Sequence, residues 1–157
     1  MNTYLLLKTL HIVSSVVLVG TGLGSAFYMF FTNRSKVVQA QAVVCALVVR
    51  ADWWFTTPAV VLQPLTGLLM VYLAGFPLTT PWLMLSIALY GLAGACWLPV
   101  VWLQIRMAAL AKDAAATGQA LPAQYWRYAR WWECLGYPAF AAMVVVFYLM
   151  VNKPPLW

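Results

Sequence analysis

The distribution of hydrophobic residues divides the chain into four long apolar stretches. They comprise residues 4–31, 53–75, 82–105 and 132–150, and charged residues concentrate between them. A helix needs about 20 apolar residues to cross the hydrocarbon core of a bilayer, and each stretch has that length or comes close to it. The pattern predicts an all-α integral membrane protein, a four-helix bundle formed by a single domain over residues 1–157.

The connections between these stretches predict the orientation of the chain. The loop from Gly75 to Pro81 is very short, so the second and third helices must form an antiparallel pair. The two other connections are long and carry most of the basic residues, namely Arg34, Lys36, Arg50, Arg106, Lys112, Arg127 and Arg130. Because Lys and Arg accumulate in cytoplasmic loops, we expect the long loops to be cytoplasmic and both termini to lie on the outer, periplasmic side of a bacterial inner membrane.

Two segments within the long connections are themselves predicted to be helical. Residues 36–50 are rich in Val and Ala but too short to span a bilayer, which favours a cytoplasmic or interfacial helix leading into the second span. A re-entrant segment is the alternative. Pro122 suits the first turn of a helix that continues into the fourth span, and residues 153–155 (KPP) end it.

Composition supports the membrane class and excludes several functions. The chain is 65% hydrophobic and 8% charged, whereas about a quarter of a soluble domain is charged. The net charge of +6 is dispersed without a basic run, so we expect no nucleic-acid partner. The three cysteines are too far apart for a zinc site or a disulfide framework. The three acidic residues form no pair with a histidine, which argues against hydrolysis and phosphoryl transfer.

Tryptophan pairs mark the predicted cytoplasmic boundary of two spans. They are residues 53–54 and 131–132, and aromatic side chains favour that interfacial depth. Each pair borders an acidic residue, which we expect to form a surface ion pair with a basic neighbour: Asp52 with Arg50, and Glu133 with Arg130.

His11 is the single histidine of the chain and lies inside the first apolar stretch, one turn after Lys8. Ionisable groups at that depth usually face a bundle interior and serve function. In the second span, Gln63 lies on a polar face of a helix interrupted by Pro58 and Pro64. Lys8, His11 and Gln63 are therefore candidate cofactor-binding residues.

Several residues with suitable donor atoms share the predicted outer side with His11. They are Met70, Met84, Ser86 and Met150. An imidazole with a thioether suits a b-type haem iron with His/Met ligation, or copper(I), which prefers soft sulfur. Candidate metal ligands are thus His11, Met70 and Met84, and Ser86 is a candidate cofactor contact. Haem with two histidine ligands would require a dimer. Packing methionines and a histidine satisfied by carbonyl or hydroxyl groups are the alternative.

Three segments carry a resemblance to a known family. Residues 4–11 (YLLLKTLH), 52–67 (DWWFTTPAVVLQPLTG) and 97–106 (WLPVVWLQIR) resemble a bacterial family of predicted integral membrane proteins of unknown function. The resemblance covers essentially the whole chain. It implies membrane location without implying an activity.

A more distant likeness concerns HemJ-type protoporphyrinogen oxidases and, more loosely, CopD-type copper-resistance membrane proteins. The order of features is similar: Lys8 and His11 on the first span, residues 57–59 (TPA) followed by Gly67 on the second, and residues 151–154 (VNKP) after the fourth. The likeness implies a four-helix bundle in which His11 is the axial haem ligand.

The chain departs from the HemJ pattern at two places. The lysine of the HemJ third span falls on Ser86, and the motif before the fourth span falls on residues 135–138 (LGYP). Because HemJ proteins need that lysine, we do not expect porphyrinogen oxidation. Haem binding remains an expectation because His11 is retained.

Three functions follow as hypotheses. The first is a protein that binds b-type haem or a porphyrin, in haem metabolism or in electron transfer with a quinone, and any enzyme activity would then be that of a haem-dependent oxidoreductase. The second is copper handling of the CopD kind. The third is a cofactor-free scaffold or accessory subunit in the lipid bilayer. The small residues Gly20 and Gly24 permit close helix approach and favour a homodimer.

Overall fold

Five α-helices account for most of residues 3–156, the part of the chain that the structure, a computed structural model, describes. They are α1 (Thr3–Ser35), α2 (Val38–Ala51), α3 (Thr57–Ala74), α4 (Pro81–Thr117) and α5 (Ala123–Asn152). A π-helical turn, Asp52–Thr56, joins α2 to α3 without a break. No strand occurs among the described residues, and the all-α prediction is confirmed.

Four helical stretches are long and apolar enough to cross a bilayer. They are α1, the continuous rod of α2 and α3, α4, and α5. This confirms the prediction of a four-span integral membrane protein in contact with lipid. The helices exceed the predicted spans, since α4 has 37 residues. At 1.5 Å per residue this is about 55 Å, against a hydrocarbon core of about 30 Å, so helix ends extend beyond the core.

The segments expected as long loops are mostly helical. Only Lys36–Val37 and Gly118–Pro122 remain as connections at that end of the bundle. Neither the Val/Ala-rich residues 38–51 nor the Ala-rich residues 107–117 contain Gly or Pro, so nothing in either sequence stops a helix. The helix predicted before the second span is observed as α2, and Pro122 precedes α5 as predicted.

Helix ends coincide with residues that leave the helical conformation. Gly75 after α3 and Gly118 after α4 have φ values of 69° and 66°, which glycine adopts without the steric penalty of a Cβ atom. After α5, Lys153 has φ 45° and is followed by two prolines, which cannot continue a helix.

The end of the bundle that carries the α1–α2 and α4–α5 connections is tightly packed, and we call it the closed end. Its buried apolar residues are Met29, Cys45, Val48, Leu103, Met107, Ala111, Tyr125, Ala129 and Trp132. The Tyr125 hydroxyl donates to Asn33 Oδ1 at 2.6 Å and lies 3.3 Å from Cys45 Sγ. One tyrosine therefore joins α5 to α1 and α2.

Away from the closed end, α1 packs against α3 and α4 packs against α5. A smaller buried cluster near the α3–α4 loop consists of Trp82, Leu83 and Leu149, with Val71 of α3 packed against it. The exterior is covered by apolar and aromatic side chains, of which Tyr72 is 81% exposed. Such a surface is stable only against an apolar solvent such as lipid.

Candidate functional site

The second span forms a hydrogen bond with α4 through a backbone carbonyl that has no partner within its own helix. Pro64 has no N–H group, so the carbonyl of Val60, four residues earlier, lacks its helical partner. The Tyr90 hydroxyl on α4 donates to that carbonyl at 2.8 Å. A helix-breaking residue thus creates a hydrogen bond between α3 and α4, as backbone groups in lipid require.

His11 lies half-buried between α1 and α3, and its ring is oriented by Thr66. The distance between His11 Nδ1 and Thr66 Oγ1 is 2.9 Å. Thr66 Oγ1 donates its single proton to the carbonyl of Leu62 at 2.6 Å, so it accepts from His11. This network assigns the proton of the neutral ring to Nδ1 and leaves a lone pair on Nε2.

Two further residues of α3 complete this arrangement around His11. Gln63 Nε2 donates to the backbone carbonyl of His11 at 2.9 Å. Gly67 lies directly against the ring, because a Cβ atom at that position would be 3.2 Å from His11 Cε1. We call His11, Gln63, Thr66 and Gly67 the histidine clamp, since together they fix α1 against α3.

The other predicted site residues are not part of the histidine clamp. Lys8 is exposed one turn before His11, and Met70 is half-buried one turn after Thr66. Met84 is 47% exposed on the outside of α4. Ser86 is buried, and its hydroxyl donates to the carbonyl of Trp82 at 2.7 Å. Of the predicted site residues, the structure therefore brings together His11 and Gln63.

A second feature, which the sequence did not reveal, is a cavity of about 500 Å³ that we call the lateral groove. Its walls come from α1, the π-helical turn and start of α3, α4 and α5. Most of its lining is apolar, and its walls include Gly22, Gly94 and Gly136. The lining residues that are more than half exposed are Leu23, Phe27 and Phe31 of α1 and Tyr137 of α5. The groove therefore opens between α1 and α5.

Asp52 provides the polar end of the lateral groove. It is only 5% exposed, and its Oδ1 accepts from Thr56 Oγ1 at 2.8 Å. We assign the Gln104 amide with its nitrogen towards Asp52 Oδ2 and its oxygen accepting from Trp132 Nε1 at 3.3 Å, because the reverse orientation would place acceptor against acceptor. The π-helical turn carries Asp52, and such turns are frequent at functional sites.

The surface ion pairs predicted for Asp52 and Glu133 are not formed. Among residues 3–156, the partners of the Asp52 carboxylate are Thr56 and Gln104, and no basic side chain pairs with it. Arg50 stands two residues away on the helix, and positions i and i+2 do not face each other. Trp132, predicted as an interfacial anchor, is instead buried at the closed end.

No group of three or more His, Cys, Asp or Glu side chains that could hold a metal ion occurs in the described part of the chain. The indole Nε1 of Trp97, on the groove wall, is buried and has no hydrogen-bond partner among residues 3–156. Burial of such a donor without an acceptor costs about 1–3 kcal/mol. The groove wall therefore carries a polar group that the protein itself does not satisfy.

Comparison with known proteins places the chain in a family. Residues 5–154 match the family described as "Predicted integral membrane protein (DUF2269)". The chain belongs to this family. Curated proteins and solved structures give no match. Membership confirms the resemblance to a membrane family of unknown function and leaves the more distant likeness to HemJ and CopD proteins as an expectation.

This member of the DUF2269 family thus carries two polar features among its apolar helices, of which sequence reasoning identified one. Gln63, Thr66 and Gly67 fall on one face of the second span, and that periodicity was the signal for the histidine clamp. The signal for the lateral groove was weaker. It consisted of Asp52 and Gln104 at the same end of two apolar spans.

Proposed function

We propose that the protein binds b-type haem, or a related porphyrin, inside the membrane through His11 Nε2. The observation that carries this proposal is the hydrogen bond from His11 Nδ1 to Thr66, which leaves Nε2 with a lone pair and no partner among residues 3–156. Histidines that bind metals use their second ring nitrogen for a bond of this kind, which sets the tautomer and the ring orientation. A half-buried imidazole in an apolar helix is then a preformed ligand.

Some of the predicted residues near His11 suit a bound haem, and others do not. Met70, half-buried on α3, is the methionine better placed to provide a sixth ligand, whereas Met84 faces away from the bundle. Lys8 is exposed one turn from His11, and its ammonium suits a propionate. Ser86 is given no role because its hydroxyl already has a partner. Bound haem would supply one-electron chemistry, and exchange with a membrane quinone belongs to the same proposal.

The visible spectrum of protein purified in mild detergent from haem-sufficient cells tests the proposal. We expect a Soret band, with α and β bands after reduction by dithionite, in the wild type and in Ser15→Ala. Ser15 is the matched control because it lies one turn from His11 and its hydroxyl donates to the carbonyl of Ile12 in the same helix. The bands should be lost in His11→Ala. A colourless wild type, or a His11→Ala variant with an unchanged spectrum, contradicts the proposal.

A cofactor-free scaffold or accessory subunit is the second candidate. It is favoured by the fact that both the carbonyl and Nδ1 of His11 already join α1 to α3. On this alternative His11→Ala lowers the stability of the protein and removes no ligand.

Copper handling receives less support. Of its three predicted ligands, Met84 points away from the bundle, which leaves His11 and Met70. Copper analysis of the purified protein beside His11→Ala would decide this alternative.

A homodimer remains part of the proposal through the small-residue face of α1. No atom lies within 4 Å of a Cβ placed at Gly20 or Gly24, so neither glycine mediates packing within the described chain. A second copy at this face would bring two first spans together. Light scattering in detergent should then give the mass of two chains for the wild type and of one chain for Gly20→Leu.

A further inference from the structure

The lateral groove is elongated along the helices. Its lining on α4 extends from Tyr90 to Gln104, which at 1.5 Å per residue is about 20 Å. Its volume is about 500 Å³. A groove of this length and volume has room for one extended hydrocarbon chain.

The opening of the groove faces lipid rather than water. Its exposed rim consists of apolar and aromatic side chains of α1 and α5, both of which are bilayer-spanning helices. Phe140 of α5 lies 3.6 Å from a Cβ placed at Gly22 of α1, so one ring crosses the groove toward the end remote from Asp52. A molecule already dissolved in the bilayer can enter sideways.

The charges on the groove wall indicate the chemistry of the head group. Two acidic residues line the groove, Asp52 and Glu133, and no Lys, Arg or His is among the lining residues. Both lie at the end of the groove next to the closed end. Burial of a carboxylate without a positive partner is costly, and a cationic hydrogen-bond donor compensates that cost. Charge complementarity therefore favours an ammonium and disfavours a carboxylate or a phosphate.

We propose that the lateral groove binds a single-chain amphiphile with an ammonium head group, its chain between α1 and α5 and its head against Asp52. The Asp52 carboxylate is oriented by Thr56 and Gln104, each of which donates to one of its oxygens. This site is separate from the histidine clamp, since His11 is not among the lining residues. The inference therefore does not depend on haem binding.

Binding is measured with three probes that have the same chain and different heads: hexadecylamine, hexadecanol and palmitate. Each is titrated into the purified protein in lipid nanodiscs by competition against a brominated alkylamine, which quenches tryptophan fluorescence on contact. Trp97 and Trp132 line the groove and serve as reporters. We expect hexadecylamine to bind at least tenfold more tightly than palmitate, with hexadecanol between them.

Two pairs of variants test where the hydrocarbon chain and the head group of the amphiphile bind. Gly94→Leu adds a side chain on the groove wall, whereas Gly91→Leu adds the same side chain to α4 at an exposed position outside the groove; neither added Cβ would meet another atom within 4 Å. Asp52→Asn removes the head-group charge, and Asp113→Asn removes an exposed charge outside the groove. Thermal unfolding of each variant identifies any that fail to fold.

The expected result is a loss of hexadecylamine affinity of at least tenfold in Gly94→Leu and less than twofold in Gly91→Leu. Asp52→Asn should reduce the preference for the amine over palmitate at least tenfold, and Asp113→Asn should leave it unchanged. Equal affinities in the two glycine variants, or a preference for the amine that survives Asp52→Asn, overturns the proposal. If Asp52→Asn does not fold, a wild type that binds palmitate as tightly as hexadecylamine overturns it as well.

Discussion

The closed end and the lateral groove adjoin each other, and they are built in opposite ways. At the closed end, Met107 and Tyr125 have no exposed surface, and four of the five helices contribute to one buried cluster. In the groove, Gly94 and Gly136 leave space on walls of the same two helices, α4 and α5. Trp132 belongs to both regions, with its ring in the cluster and its N–H group on Gln104.

The difference separates the part of the molecule that stabilises the fold from the parts that are available for function. Side chains at the closed end are buried against one another, so they contribute through packing. The groove and the histidine clamp depend instead on single hydrogen bonds between helices. We therefore expect substitutions at the closed end to change stability most, and substitutions elsewhere to change ligand binding more than stability.

The largest effect on stability is expected for Met107→Ala. Removal of a fully buried methionine side chain leaves a cavity and should lower the free energy of unfolding by about 2–5 kcal/mol. Met84→Ala on the same helix is the control, because Met84 is 47% exposed and should cost little. Unfolding in mixed detergent micelles measures both. Equal losses for the two variants would show that the closed end is not the stabilising region.

A smaller loss is expected for Tyr125→Phe. The ring remains, but Asn33 Oδ1 and Cys45 lose the hydroxyl between them, which should cost about 1–3 kcal/mol. Tyr72→Phe, on the lipid-facing surface, should leave the midpoint of thermal unfolding unchanged. A Tyr125→Phe variant as stable as the wild type would mean that this hydroxyl does not join the three helices energetically.

The next smaller effect is the energetic coupling between Tyr90 and Pro64. Tyr90→Phe leaves the Val60 carbonyl without a partner and should cost about 1–2 kcal/mol. In a Pro64→Ala background, the new N–H group at position 64 can bond to that carbonyl, so Tyr90→Phe should cost clearly less. A double-mutant cycle of unfolding free energies measures the coupling, and additive losses would contradict the assigned role of Tyr90.

The smallest expected effect is the difference in stability between alanine substitutions at two glycines. Gly20→Ala introduces a methyl group into open space and should stabilise the protein by about 0.5–1 kcal/mol through helix propensity. Gly67→Ala should lack this gain, because its methyl group would lie 3.2 Å from His11 Cε1. Unfolding midpoints of the two variants test whether the ring packs on Gly67. Equal stabilisation of both would mean that it does not.

The sequence allowed the four spans to be predicted because length and hydropathy determine them directly. It also placed Gln63 on a polar face of the second span, since helical periodicity is local. The environment of Asp52 could not be predicted, because its partner Gln104 is 52 residues away on another helix and sequence neighbours such as Arg50 point elsewhere. The groove depends on the separation of α1 from α5, which no local pattern encodes.

His11 is proposed to serve the fold through Nδ1 and a ligand through Nε2. His11→Asn tests this proposal most directly, because the asparagine amide presents an N–H group near the position of Nδ1 and nothing in place of Nε2. We predict that this variant unfolds within a few degrees of the haem-free wild type, and that it lacks the Soret band that we expect of the wild type. A variant that retains the Soret band, or a wild type without haem, would contradict the claim.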